Sequence, residues 1–191
     1  MTEPADNILI QKCRVRDKDA YRVLVKRYKK QAYSFAFSYL KNVDDAFNIS
    51  QEAFIKAWNA MNRFEEGRSF RSWLFSIIKN LSINLIIKKK NLREISLEKA
   101  LEESSFDITD TSAGPLEVLE NKEKRKQVWK AIMGLKEEFR EIIILKHFND
   151  LSYREISEAI NIPEGTVMSR LYHARLSLKE SLEPVIKGVD F

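Results

Sequence analysis

From Leu151 to Leu178 the sequence specifies a start, a stop and a restart for two short helices. Leu151-Ser-Tyr-Arg-Glu-Ile156 is a capping box with a hydrophobic staple. The Ser152 hydroxyl can accept from the Glu155 amide, the Glu155 side chain can reach back to the Ser152 amide, and Leu151 can pack on Ile156. The helix begun there buries Ile156, Ala159 and Ile160. Asn161 stands where a tight turn needs a left-handed residue, and Pro163 fits the first position of a new helix. That second helix buries Val167, Leu171, Ala174 and Leu178 at helical spacing.

The rest of the chain carries the same period. Tyr21, Leu24, Val25, Tyr28, Ala32, Phe35, Ala36, Tyr39 and Leu40 recur at spacings of three and four and form one apolar stripe. Asn42-Val-Asp-Asp45 breaks the stripe and offers N-cap side chains to a second helix. That helix turns Ala46, Ile49, Ala53, Phe54, Ala57, Trp58 and Met61 inward. A polar loop covers Asn62 to Ser69, and a third long helix sets Trp73, Leu74, Ile77, Ile78, Leu81 and Leu85 on one side. Further on, Val128, Ala131, Ile132 and Leu135 form one stripe, and Phe139, Ile142, Ile143 and Phe148 the next. With 5 Gly and 4 Pro in 191 residues, turn-makers are too few for a sheet-rich fold. The expected fold is all-α. It has two small helical domains, an N-terminal bundle over 1–92 and a C-terminal helix-turn-helix unit over 122–191, joined by an acidic flexible linker over 93–121.

Periodicity lapses in that linker, where Ser104, Ser105, Asp107, Thr109, Asp110, Thr111, Ser112, Gly114 and Pro115 are loop formers. Fully extended, about 28 residues reach on the order of 100 Å, which lets two modules occupy separate sites on one duplex. Charge reverses beside it. Arg68 to Arg93 holds seven Lys or Arg and no acid, whereas Glu94 to Asn121 holds eight acids against Lys99 alone. A basic face followed by an acidic connector suggests a nucleic-acid-facing surface; a solvated helix face beside a solvated linker gives the same pattern.

Several function classes drop out. The single Cys13 excludes an intramolecular disulfide, and with two His in the chain a structural zinc site is not expected, so neither metal nor cofactor is called for. No Gly-rich phosphate loop or nucleophile elbow is present, and His147 and His173 have no evident partners, so no enzyme is expected. The apolar runs fall short of a membrane span and Met1 to Ile10 is acidic rather than signal-like. The expected setting is cytoplasmic, without membrane insertion.

In a helix-turn-helix that binds DNA, the second helix enters the major groove. Here Thr166, Met168, Ser169, Arg170, Tyr172, His173 and Arg175 lie off the buried stripe. Ser and Arg contact base edges or phosphates, and Met or Tyr can meet a thymine methyl. An ordinary helical hairpin with a polar face has the same spacing.

Wider motifs separate these readings. Leu151 to Ile156, Ile162-Pro-Glu-Gly-Thr-Val-Met-Ser-Arg-Leu171 and His173-Ala-Arg175 together resemble the fourth conserved region of the extracytoplasmic-function sigma factors of the sigma-70 family. Asp45-Ala46, Gln51-Glu52-Ala-Phe54, Lys56-Ala-Trp58, Phe70-Arg-Ser-Trp-Leu74 and Asn80 are similar to that family's second region. The resemblance covers about 20–90 and 122–182, nearly the whole chain.

It implies a subunit that binds core RNA polymerase and directs promoter-specific initiation. The helix with Asp45, Gln51, Glu52, Phe54 and Trp58 would dock on the clamp of the largest polymerase subunit, and the C-terminal unit would meet the flap of the second-largest. Arg63, Phe64, Phe70, Arg71, Trp73, Lys79, Asn80, Asn84 and Lys88 would open and read the −10 element of promoter DNA. Melting needs a base drawn from the stack into a pocket and cations to hold the freed strand; Lys89, Lys90 and Arg93 would add salt-dependent attraction. The helix with Thr166 to Arg175 would read the −35 element. An anti-sigma factor is an implied partner, and the acidic linker would thread toward the polymerase's RNA path. The sequence departs from the family at Phe47 and Asn48, where two acids are usual, at Asn84, which replaces a common Asp, and at Met168 and His173, often basic. An unusual −35 preference is therefore expected. The alternative is a dimeric operator-binding regulator acting without core polymerase. It accounts for 122–182 but not for the aromatic-rich N-terminal module or Gln51-Glu52.

Overall fold

The computed structural model describes residues 4–95 and 126–187. The loop formers Ser104 to Pro115 and the side chain of Arg93 lie outside the described residues. Among those described there is no strand. The N-terminal half contains α1 (Asp6–Arg14), α2 (Lys18–Leu40), α3 (Val43–Asn59), a 3₁₀ turn (Met61–Arg63) and α4 (Phe70–Ile95). The C-terminal half contains α5 (126–134), α6 (Glu137–Ile143), a π-helical turn (Ile144–Phe148), α7 (Tyr153–Ile160) and α8 (Glu164–Lys187).

Local chemistry sets the boundaries. Asp17 opens α2 by accepting from the amides of Asp19 and Ala20 at 2.9 and 3.0 Å. Lys41 closes the helix in the left-handed region (φ 51°), and Asn42 then opens α3, its side chain accepting from the Asp45 amide at 3.0 Å. Helices α2, α3 and α4 pack around one aromatic core. Phe35 meets Phe75 at 5.0 Å between ring centroids, and Tyr28 meets Phe70 at 5.7 Å. Leu24, Phe35, Phe70, Leu74, Phe75 and Ile78 are fully buried. Each such side chain contributes about 1.5–3 kcal/mol on leaving water, and this is what gives the long helices a fixed arrangement.

The C-terminal half is built on the capping box. The Ser152 hydroxyl accepts from the Glu155 amide at 3.2 Å, and Glu155 accepts from the Ser152 amide at 2.9 Å. Leu151 and Ile156 are buried together. Asn161 takes the left-handed conformation (φ 56°). Pro163 stands one residue ahead of α8, and its carbonyl accepts from the amides of Thr166 and Val167.

Three features depart from the sequence expectation. Helix α1 was not foreseen, although Leu9, Ile10 and Cys13 fall at helical spacing; all three are buried and α1 packs on α2. Arg27 and Tyr28 both reach Asp6, tying the helix down. Val128 and Phe148 are exposed rather than inward. In α5 the larger Trp129 takes the buried face with Ile132 and Leu135, stacking on Phe37 across the two halves at 6.4 Å. The π-helical turn widens the last turn before Asn149, which rotates Phe148 outward onto the edge of Trp129 at 5.3 Å.

Candidate nucleic-acid interface

On α8, Met168, Ser169, Tyr172, His173 and Arg175 are exposed along one side, opposite the buried Val167, Leu171 and Ala174. Tyr172 and His173 meet edge to face at 5.3 Å. Arg175 lies 3.4 Å from the His147 ring, and the burial of that ring, the Arg175 charge and the Lys146 charge all hold His147 below its ordinary value. Thr166 is half-buried and its carbonyl accepts from the Ser169 hydroxyl at 3.1 Å. Arg170 does not share the free face. Its guanidinium turns to α6 and pairs with Glu138 at 3.4 Å.

The basic segment on α4 is arranged differently. Asn80, Asn84 and Lys88 are exposed, as is Arg63 on the preceding turn. Phe64 and Phe70 are core residues, packed against each other and against Trp73, which is itself half-buried. Their rings brace the 64–70 loop, where Gly67 adopts a left-handed turn (φ 82°) that other side chains resist. Between this loop and α1 lies a cavity of about 300 Å³, lined by Ile10, Arg14, Phe64, Gly67, Ser69 and Phe70 among others.

Arg71 and Lys79 point into the other half of the chain, where α7 packs along α4. Arg71 donates to both carboxylate oxygens of Glu155 at 3.1 Å and to the Asn149 carbonyl at 2.9 Å. Ser69 also donates to Glu155, at 2.8 Å. Lys79 pairs with Glu141 at 3.0 Å and donates to the Ile160 carbonyl at 3.3 Å. Glu141 additionally accepts from the Tyr39 hydroxyl. Partial burial pushes the Glu155 carboxyl up, but the Ser152 amide, Ser69 and Arg71 outweigh it and hold it at about 2. Glu141 goes the other way: its burial is nearly complete, and this raises its carboxyl against the pull of Lys79 and the Tyr39 hydrogen bond.

Arg71 and Lys79 stand out in the sequence as candidate −10 residues, but their partners across the interface do not. Glu155 was visible only as a helix cap and Tyr39 only as core. Glu141 was detectable with Arg140 as a pair of charges interrupting the apolar run Phe139 to Leu145, since charges are rarely buried unless paired.

On α3, Gln51 and Glu52 are exposed, Glu52 pairing with Lys56 at 3.2 Å. Asp45 is paired with Lys89 of α4. Phe54 is buried, and Trp58 lies against Tyr21 at 4.8 Å with the Arg16 guanidinium over its ring. The outer side of α3 instead exposes Phe47 and Ile55, each more than half accessible.

Two family patterns match the chain. Sigma-70 region 2 matches residues 24–91, and Sigma-70, region 4 matches residues 125–178. The chain belongs to the extracytoplasmic-function (ECF) sigma factors of the sigma-70 family. The sigma factor is 34% identical over 169 residues to the ECF RNA polymerase sigma factor SigW of Bacillus subtilis, covering 87% of this chain and 90% of the relative. It is 31% identical over 189 residues to the ECF RNA polymerase sigma-E factor of Escherichia coli K12, covering 95% and 96%. Its fold is similar to that of the sigma factor RpoE of Bartonella quintana, solved with the anti-sigma factor NepR: TM-score 0.71 at 24% identity over 85% of this chain and 96% of that one. The sigma factor directs transcription, within a family of initiation factors that are not enzymes. No described helix is long and apolar enough to cross a membrane.

Proposed function

We propose that the two halves of this sigma factor read two promoter elements for core RNA polymerase. Helix α8 reads the −35 element in the major groove, and the 62–69 loop with α4 opens and reads the −10 element. Helix α3 docks on the clamp of the largest polymerase subunit, and the C-terminal half meets the flap of the second-largest. The division of the chain at 1–92, 93–121 and 122–191 belongs to the same proposal.

The observation that carries this reading is the free side of α8. Met168, Ser169, Tyr172, His173 and Arg175 share one exposed face behind a capped turn, the placement a recognition helix requires. Arg170, paired with Glu138, serves to hold α8 on α6. For the −10 element, Asn80, Asn84 and Lys88 line the open side of α4, and the cavity beneath the 64–70 loop suits a base drawn out of the stack. For the polymerase, exposed Phe47 and Ile55 beside Gln51 and Glu52 make an apolar centre with a polar rim, the composition of a protein interface. An anti-sigma factor is proposed as a further partner, supported by family membership. The same reading puts the protein's work in the cytoplasm, beside the polymerase.

Run-off transcription with purified core polymerase on a library of promoter fragments tests this. Transcripts that appear only when the sigma factor is added are expected, and their start sites yield both elements. A chain that footprints alone on a two-fold symmetric site, and gives no transcript with an active core, would instead be an operator-binding regulator.

A further inference from the structure

We propose that Glu141 and Glu155 form an intramolecular clasp that occupies Arg71 and Lys79, closing the N-terminal half to single-stranded promoter DNA until the two halves part. This rests on the reading of α4 as the −10 surface. The clasp uses the same chemistry as the ligand it excludes. A carboxylate fork on the Arg71 guanidinium and a carboxylate on the Lys79 ammonium stand where two DNA phosphates would stand. Neighbouring groups fix both acids. Ser69 and the Ser152 amide orient Glu155, and Tyr39 orients Glu141. Arg71 also donates to the backbone carbonyls of Asn149 and Asp150, and Lys79 to that of Ile160, so each cation is held by an acid and by backbone of the C-terminal half.

The geometry also explains why such a clasp opens. Glu141 is 5% exposed and Lys79 is half-buried, so the acid is stripped of water and the cation partly so in the closed chain. The pair's attraction is set against that desolvation, and paired charges in such sites roughly break even. Parting the halves rehydrates all four ions, and a DNA strand then offers the two cations a run of phosphates in place of two carboxylates. The α8 face takes no part in the clasp. The closed chain is therefore open to −35 duplex and shut to −10 single strand.

The test uses the full chain and two readouts. Glu141→Gln with Glu155→Gln removes both charges while keeping shape, the Tyr39 hydrogen bond and the helix cap, since Gln serves at that capping position. Dyes on Asn59→Cys and Ser181→Cys, both exposed positions, report the separation of the halves; Cys13 is buried, and burial followed by the Asp17 charge pushes its thiol up to about 11, so it does not label. A short fluorescein-labelled single-stranded DNA of mixed sequence reports access to α4. The expected result is a longer dye separation with binding about tenfold tighter, because affinity scales with the fraction of open chain. Adding Arg71→Ala and Lys79→Ala should abolish the gain. Unchanged separation and unchanged binding would overturn the clasp while leaving the −10 reading standing. Longer separation with unchanged binding would instead remove Arg71 and Lys79 from the −10 surface, and the inhibitory role with them.

Discussion

On α8 most of the side chains proposed to read DNA face solvent, whereas on α4 two of the cations proposed for the same work are half-buried and paired with the partner half. The two surfaces come from similar material, a helix with an apolar stripe and polar residues off it. What separates them is what each helix leaves over after packing. Helix α8 packs mainly on α6 and α7, and among the described residues it buries the stripe of Val167, Leu171 and Ala174. Helix α4 packs on α2 and α3 on one side and on α7 on another, so its stripe and part of its polar face are both covered. A polar residue on a helix is thus free only where no second element finds a partner for it.

The sharpest way to break this comparison is to unmake one core. Phe35→Ala should cost about 3–5 kcal/mol, because its ring is fully buried against Phe75 and Tyr39. Hydrogen exchange followed peptide by peptide should then show protection lost in α2 to α4 and retained in α6 to α8. Simultaneous loss in both halves would mean that the interface makes them one cooperative unit.

Next in size is the contrast between a covered and an open cation. Arg71→Ala should destabilise the free chain by about 1–3 kcal/mol, through lost charge-assisted hydrogen bonds to Glu155 and Asn149. Arg175→Ala, on the exposed face of α8, should stay within about 0.5 kcal/mol. Urea midpoints compare them, and equal shifts would erase the distinction. Ser152→Ala should cost about 1 kcal/mol by removing the α7 cap, read as a lower melting temperature of the C-terminal half.

Acid sharpens the same contrast. Glu155 sits at about 2 in the folded chain, below its ordinary 4.5. Its contribution is complete above pH 4.5 and is lost as pH falls toward 2, because only the unfolded chain gains a proton in that window. A pH series of urea midpoints should show this limb flattened in Glu155→Gln. The smallest expected effect on stability is Met168→Ala, within about 0.5 kcal/mol for a half-exposed side chain. Its consequence should appear instead in the −35 sequence recovered by selection from a random library; recovery of an unchanged sequence would take Met168 off the reading face.

Local instructions make much of this protein legible in its sequence. The capping box at Ser152 and Glu155, the left-handed Asn161 and the N-cap at Asn42 each involve atoms within a few residues, so their geometry follows from the order of residues alone. The apolar stripes of α2, α3 and α4 were readable for the same reason: burial at a period of 3.6 is a property of one helix. The exposed face of α8 was readable too, except that Thr166 is half-buried and Arg170 is paired with Glu138 of α6. Trp129 displacing Val128 from the buried face, Phe64 and Phe70 sinking into the core, and Phe47 and Ile55 remaining outside depend on which neighbour fills which space. Most of all, the union of Arg71 and Lys79 with Glu155 and Glu141 joins residues 62 to 84 positions apart. No periodicity encodes a pairing at that range. Only the packing of α7 along α4 brings the four charges together, since an ion pair forms where the folded backbone places its ends and the sequence between them is indifferent to it.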